Sequence, residues 1–155
     1  MITMSKFEFS YGAPEHGWSV VTIGHDGHEA RMVVSYVTDA LRDLLYGLVR
    51  VTQGDDFRFS WDGEPTEYRW IFTHEGGAVR LRILTFRDHM RPEPDEAGQE
   101  RFTFLGEVDL IVRAVVRSAR RVLSEMGEEE YARQWRGQAF PLRELNILES
   151  WLKDH

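Results

Sequence analysis

The sequence predicts an α+β domain with a mostly antiparallel sheet of about five to seven strands, two main helices packed on it, and short C-terminal helices. Apolar and polar residues alternate over several short segments, as in half-buried strands, and recur at helical spacing in two longer segments. The dipeptides Asp26-Gly27 and Gly76-Gly77 are tight-turn signals, and such turns join antiparallel neighbours. The chain of 155 residues is expected to form one domain, 1–155.

Three strands are predicted in the N-terminal part of the chain, at residues 6–11, 18–23 and 28–35. Their aromatic and β-branched residues alternate with polar ones, which is the period of a strand with one face in the core. The Asp26-Gly27 turn joins the second and third strands, because both of its residues tolerate positive φ angles. The second and third strands are therefore expected to form an antiparallel hairpin.

A helix is predicted next, from about residue 36 to 53. Ser35 or Thr38 can accept a hydrogen bond from a free backbone N–H as its N-cap, and Gly54 can end it. One broad apolar stripe runs along this helix, formed by Val37, Ala40, Leu41, Leu44, Leu45, Leu48 and Val49.

Three strands follow the helix, at residues 57–62, 67–72 and 79–84. Their registers are expected to place Phe59 opposite Tyr68 and Phe72 opposite Leu81, so that the aromatic residues share one sheet face. We expect the first helix to cover that face.

The C-terminal part begins with a charged segment, residues 88–101, which contains two prolines and is predicted to be a long mobile loop. Residues 102–105 form either a short strand or the lead-in to a helix. Helical spacing and Gly127 predict helices at 107–126, at 128–135 and from Pro141 onward.

Composition excludes several classes of function. The 26 acidic and 19 basic residues give a net charge of −7, which argues against general nucleic-acid binding. With no cysteine there is no disulfide, no thiolate nucleophile and no cysteine zinc site. No signal pattern and no run of about 18 apolar residues is found, so a soluble cytoplasmic protein is expected. Phosphate-loop, dinucleotide and hydrolase motifs are missing from the sequence, and neither a catalytic residue nor a cofactor is assigned.

The strand face opposite the aromatic one carries Arg58, Arg69 and Arg82, and the expected register places Arg58 directly across from Arg69. Like charges in opposed positions are unfavourable unless an anion lies between them. That anion is either a carboxylate of the chain, from Glu67 or from a loop acid, or a bound phosphate, carboxylate or acidic partner surface.

Apolar residues lie on the same face as these arginines. If it is exposed, this mixed face needs a cover, which the C-terminal helices, a second subunit or another protein can supply. The predicted binding residues are Arg58, Arg69, Arg82, Ile71, Leu84 and Phe86.

Two other groups of polar residues are weaker candidates for a site. His25 and His28 flank the Asp26-Gly27 turn and are either two solvated histidines or, with a third ligand, a metal site. Glu64 and Glu67 lie beside aromatic residues and form either a solvated turn or an acid–base pair.

Two segments are similar to those of other proteins. They are residues 36–45, with the sequence YVTDALRDLL, and residues 61–70, with the sequence WDGEPTEYRW. Over about residues 30–87 the chain resembles a set of small uncharacterised bacterial α+β proteins, a resemblance from which no activity carries over. Its size, acidity and lack of cysteine are also generally similar to those of immunity proteins that neutralise bacterial toxins.

Three hypotheses about function follow from these observations. The first is a non-catalytic module that binds another protein, for example an immunity-type factor. The second is a homo-oligomeric structural protein with Ile71, Leu84 and Phe86 at its interface. The third is a small anion-binding hydrolase built around Glu64, Glu67 and the arginines.

Overall fold

The structure is a computed structural model that describes residues 6–155. It confirms the α+β class and the antiparallel pairing. The strands are β1 Phe7–Tyr11, β2 Trp18–His25, β3 His28–Ser35, β4 Phe57–Asp62, β5 Glu67–Glu75, β6 Ala78–Phe86 and β7 Gln99–Gly106. The helices are α1 Ala40–Thr52, α2 Val108–Gln134 and α3 Leu142–Lys153.

The described strands form two sheets rather than the single sheet that was predicted. The first has the order β1-β2-β3 and the second has the order β4-β5-β6-β7. The helix α1 separates β3 from β4 along the chain, and these two strands do not pair, so each remains an edge of its own sheet. Alternation along a strand identifies its buried face but does not say which strand it pairs with, which is why two sheets were predicted as one.

The register of the second sheet agrees with the prediction on one side of β5 only. Phe72 pairs with Leu81 as expected, but Phe59 pairs with Trp70 rather than with Tyr68. The turn between β4 and β5 is longer than expected, and within it the Asp62 carboxylate accepts a hydrogen bond from the Glu64 amide at 2.7 Å. The pairing is thereby displaced by two residues, which keeps the aromatic residues on one face but changes every cross-strand partner.

The aromatic faces of the two sheets meet in one core. Phe7 contacts Phe104 edge to face with ring centroids 4.9 Å apart, and Phe9 contacts Trp70 at 6.5 Å. The expected cover of the aromatic face by α1 is seen at Gly47, where an added Cβ would lie 3.0 Å from the Phe57 ring. Neighbouring β1 and α2 are joined by a hydrogen bond from the Tyr11 amide to the Ser118 hydroxyl.

The helices follow the apolar spacing closely but begin and end at different residues. α1 begins at Ala40 after Asp39, later than the predicted residue 36. α2 includes both predicted segments, 107–126 and 128–135, and Gly127 interrupts it with a φ of 75°. In the part of the chain that the structure describes, no helix is long and apolar enough to cross a membrane.

The connection between β6 and β7 consists of residues 87–98 and lies over the outer face of the second sheet; we call it the cover segment. It contains one turn of 3-10 helix, Asp95–Ala97. The predicted loop at 88–101 therefore extends too far, since β7 already begins at Gln99. Residues 102–105 belong to this strand and not to a helix lead-in.

Candidate functional site

The six predicted binding residues lie together on the outer face of the second sheet, but with different neighbours than expected. Ile71 pairs with both Arg58 and Arg82, and Arg69 pairs with Leu84. The prediction that Arg58 lies directly across from Arg69 is wrong, because the longer turn displaces β4 by two residues. Arginine and apolar side chains therefore alternate across the three strands.

Asp95 of the cover segment neutralises two of these arginines. Its Oδ1 atom lies 2.6 Å from Nη2 of Arg58 and 2.9 Å from Nη1 of Arg69. The hydrogen bond from Arg58, followed by that from Arg69, lowers the pKa of the Asp95 carboxyl below its usual value. Asp95 is thus the anion between the two arginines, and it comes from the chain itself.

Arg69 makes the most contacts on this face. Its Nε atom lies 2.9 Å from Oε2 of Glu67, and its Nη1 atom donates to the carbonyl of Glu93 at 2.8 Å. Its guanidinium carbon lies 4.0 Å from the centre of the Phe86 ring, a cation–π arrangement. Since its side chain is only 12% exposed, Arg69 is part of the packed structure.

The apolar residues of the face are buried, by a cover other than the three that the sequence suggested. The exposed fractions are 8% for Ile71, 1% for Leu84 and 6% for Phe86. The cover segment, and not the C-terminal helices, lies against this face: a Cβ added to Gly98 would lie 2.6 Å from the Phe86 ring. The third arginine, Arg82, pairs with Glu100 of β7 at 3.0 Å. A binding role for the six residues stays a prediction.

The hairpin brings the two histidines of the first weaker candidate together, since His25 pairs with His28 across the turn. The His25 ring packs edge to face on Phe104 at 4.7 Å, and its Nε2 atom lies 3.1 Å from the Asp26 carboxylate. Within residues 6–155, no cluster of three histidine or carboxylate side chains is arranged to hold a metal, whether around His28 or elsewhere.

The two glutamates of the predicted acid–base pair lie in different environments. Glu67 is buried and accepts a hydrogen bond from the Ser60 hydroxyl at 2.6 Å, in addition to its bonds from Arg69. Glu64 is exposed on the turn. This arrangement does not bring the two carboxylates into one site.

A cavity of about 900 Å³ lies beside the cover segment, and no sequence pattern predicts it. Four arginines line it, together with neutral hydrogen-bonding side chains and two carboxylates. Its arginines are Arg31, Arg87, Arg91 and Arg101. They come from β3, the cover segment and β7, so no spacing in the sequence relates them to one another.

An exposed apolar surface lies on the outer side of the first sheet, where β2 begins and β3 ends. It consists of Trp18, Val20, Val33, Tyr36 and Val37, and we call it the Trp18 face. Trp18 pairs with Ser35, Val20 pairs with Val33, and the Tyr36 ring lies against Gly17. The exposed fractions of Trp18 and Tyr36 are 39% and 42%. The period of β2 places Trp18, Val20 and Thr22 on one side of the strand. It does not show whether that side is exposed or buried.

Comparisons of the chain with protein-family models, with curated proteins and with solved structures gave no match. The candidate sites are therefore interpreted from their own geometry.

Proposed function

We propose that the protein is a non-catalytic module that binds another protein, and that the Trp18 face is its binding surface. Seven large apolar side chains are exposed among the described residues, and Trp18, Val20, Tyr36 and Val37 are four of them. Tryptophan and tyrosine are enriched in the residues that dominate binding energy. This concentration of exposed apolar residues at one corner is the observation that carries the proposal.

The charge of the chain favours a foreign partner over a second copy. Each copy carries a net charge of −7, and like charges repel when two copies approach. Arg136 lies at the edge of the face, with its guanidinium carbon 5.8 Å from the centre of the Tyr36 ring. We therefore propose a partner with an apolar surface, a carboxylate opposite Arg136, and a net charge that is neutral or positive. An immunity-type factor of the cytoplasm is the form of this proposal that the size, acidity and lack of cysteine favour.

The other two hypotheses receive less support. Ile71, Leu84 and Phe86 lie under the cover segment, which does not favour them as a homo-oligomer interface. The large cavity is lined by neither Glu64 nor Glu67, which does not favour a hydrolase built on them.

Site-specific cross-linking tests the proposal. A photo-reactive amino acid is placed at Val20, and cross-linked proteins from the native cell are identified by mass spectrometry. Leu105 is the matched control, since it is also an aliphatic strand residue, with an exposed fraction of 48% against 41% for Val20. We expect one foreign protein to be captured from position 20 and not from position 105.

Binding to the purified partner then decides between the outcomes. We expect Val20→Asp to weaken the affinity at least tenfold, because burying an unpaired charge at a protein interface is costly. Leu105→Asp should leave the affinity unchanged. Cross-links only to a second copy of the chain would replace the proposal with self-association, and equal affinities for the two variants would refute it.

A further inference from the structure

We propose that the four-arginine cavity binds a small molecule that carries phosphate groups. It lies between β3 of the first sheet and the cover segment, it shares no lining residue with the Trp18 face, and its role does not depend on the proposed protein binding. Its volume of about 900 Å³ is within the range of about 300–1,000 Å³ typical of ligand sites.

The arginines reach this cavity from separate parts of the fold. Arg31 belongs to β3, and Arg87 and Arg91 belong to the cover segment. Arg101 lies at an irregularity of β7, where the pairing passes from Phe102 opposite Ile83 to Glu100 opposite Leu84. A β-bulge of this kind redirects a side chain, and here it leaves Arg101 unpaired in the ladder beside the cavity.

These arginines differ from those on the covered sheet face. Arg58, Arg69 and Arg82 each lie within 3.0 Å of a carboxylate oxygen. In contrast, none of the four cavity arginines has a carboxylate within 4.0 Å among residues 6–155. In a chain with net charge −7, four arginines without such partners in one cavity favour an anion as the missing partner.

The other lining residues indicate the class of anion. Asp88 and Glu93 also line the cavity, so four positive charges against two negative ones leave a net charge of +2. One Asp88 oxygen already accepts a hydrogen bond from the Met90 amide at 2.9 Å. Neutral side chains with hydrogen-bond donors supplement the guanidinium groups, namely Thr66, Tyr68, Thr85 and Gln99.

This lining suits phosphate better than an isolated carboxylate. A phosphate group presents three acceptor oxygens and a charge close to −2 at neutral pH, which matches the net charge of the cavity and its many donors. Phe86, Met90 and Ala97 add an apolar part to the wall, so the ligand can carry a small organic group beside its phosphate. The geometry points to an organic phosphate or diphosphate.

Calorimetric titration of the full-length protein tests this inference. The probes are pyrophosphate and inorganic phosphate, with citrate as the carboxylate control at equal ionic strength. We expect pyrophosphate to bind most tightly and its affinity to fall as salt is added. The double variant Arg31→Gln/Arg101→Gln should weaken pyrophosphate binding at least tenfold, since it removes two charge-assisted donors.

The matched control is Arg117→Gln/Arg121→Gln, which removes the same charge from exposed positions of α2 outside the cavity. It should bind pyrophosphate as the wild type does. The thermal unfolding of both variants is measured first, and an unchanged transition shows that the fold is retained. The inference is overturned if none of the probes binds, if both double variants lose equal affinity, or if citrate binds as tightly as pyrophosphate.

Discussion

Arg69 is the residue that joins the second sheet to its cover segment. It bonds to Glu67 on its own strand and to Asp95 and the Glu93 carbonyl on the cover segment. A charge reversal here would leave Glu67 without its ion-pair partner in a mostly buried position and would place a like charge beside Asp95, which is strongly destabilising. Substitution of Arg69 therefore tests the fold before it tests any binding function.

Asp43 lies in surroundings that disfavour its ionised form. It lies in the first turn of α1, where the helix dipole favours an anion. Burial, followed by the nearby Asp39 carboxylate, nevertheless raises the pKa of its carboxyl to about 6. Burial also raises the pKa of Asp39 itself. In this pair desolvation outweighs the dipole.

The raised pKa of Asp43 predicts how stability depends on pH. The folded protein holds the Asp43 proton more tightly than the unfolded chain, so protonation of Asp43 adds to the free energy of unfolding. This stabilisation is fully present below about pH 4 and is lost as the pH rises through about 6. The variant Asp43→Asn has no carboxyl at this position, so its stability does not fall in this way as the pH rises. Its stability relative to wild type should therefore increase by about 1–2 kcal/mol from pH 4 to pH 7, a figure reduced for partial solvent exposure.

Urea unfolding at a series of pH values measures this difference. Asp109→Asn is the matched control, because Asp109 lies in the first turn of α2 with a similarly exposed side chain. That variant loses an ion pair to Arg113 and should gain no relative stability as the pH rises. A flat difference between wild type and Asp43→Asn would contradict the prediction.

At the scale of elements, the cover segment is held mainly at its one turn of 3-10 helix. Asp95 bonds to both Arg58 and Arg69, and Gly98 fits closely over the Phe86 ring. The amides of Ala97 and Gly98 donate to the carbonyls of Pro94 and Asp95. These two amides therefore report directly on whether the segment stays in place.

Asp95→Asn is predicted to loosen the cover segment. The variant keeps the size of the side chain but replaces charge-assisted hydrogen bonds with weaker neutral ones. Hydrogen exchange at the Ala97 and Gly98 amides should become roughly five to ten times faster. Glu96→Gln, an exposed position of the same turn, should leave both rates unchanged. Rapid exchange in the wild type itself would instead support the mobile loop predicted from the sequence.

Particular residues show how far the sequence can predict these elements. Aromatic alternation identified the buried face of β4 and β5 correctly, because a displacement of two residues preserves it. The partners of β4 were predicted two residues out of register, since alternation does not fix the length of the turn between β4 and β5. A loop acid was one of the anions expected beside the arginines, but the sequence did not indicate that it is Asp95 of the cover segment, far along the chain from Arg58 and Arg69.

The arginine cavity could not be predicted for a related reason. Arg31 and Arg101 are far apart in the chain and are brought near each other only when the first sheet lies against the second. The sequence did show arginines on the predicted strands, and this pattern predicted a binding site at Arg58, Arg69 and Arg82. Those three residues have carboxylate partners within the chain, which the charge pattern alone does not reveal.

At the scale of the whole molecule, the two sheets share one core. Tyr11 contacts both Trp61 and Trp135, and thereby connects the second sheet to the end of α2. Trp61, Trp70 and Trp135 are all completely buried. Their fluorescence therefore reports on the contact between the sheets as well as on the helices.

This shared core predicts that the chain unfolds as one domain. Tryptophan fluorescence, to which the three buried tryptophans contribute, and far-ultraviolet circular dichroism, which follows the backbone, should give the same urea midpoint. Phe9→Ala removes the aromatic contact between β1 and Trp70 and should lower the stability by about 2–3 kcal/mol, less than for a fully buried phenylalanine. Because the sheets depend on each other, both signals should shift together. If the circular dichroism change separated into two steps while the fluorescence followed only one of them, the three-stranded sheet would be an independent unit, and the prediction of one domain would be wrong.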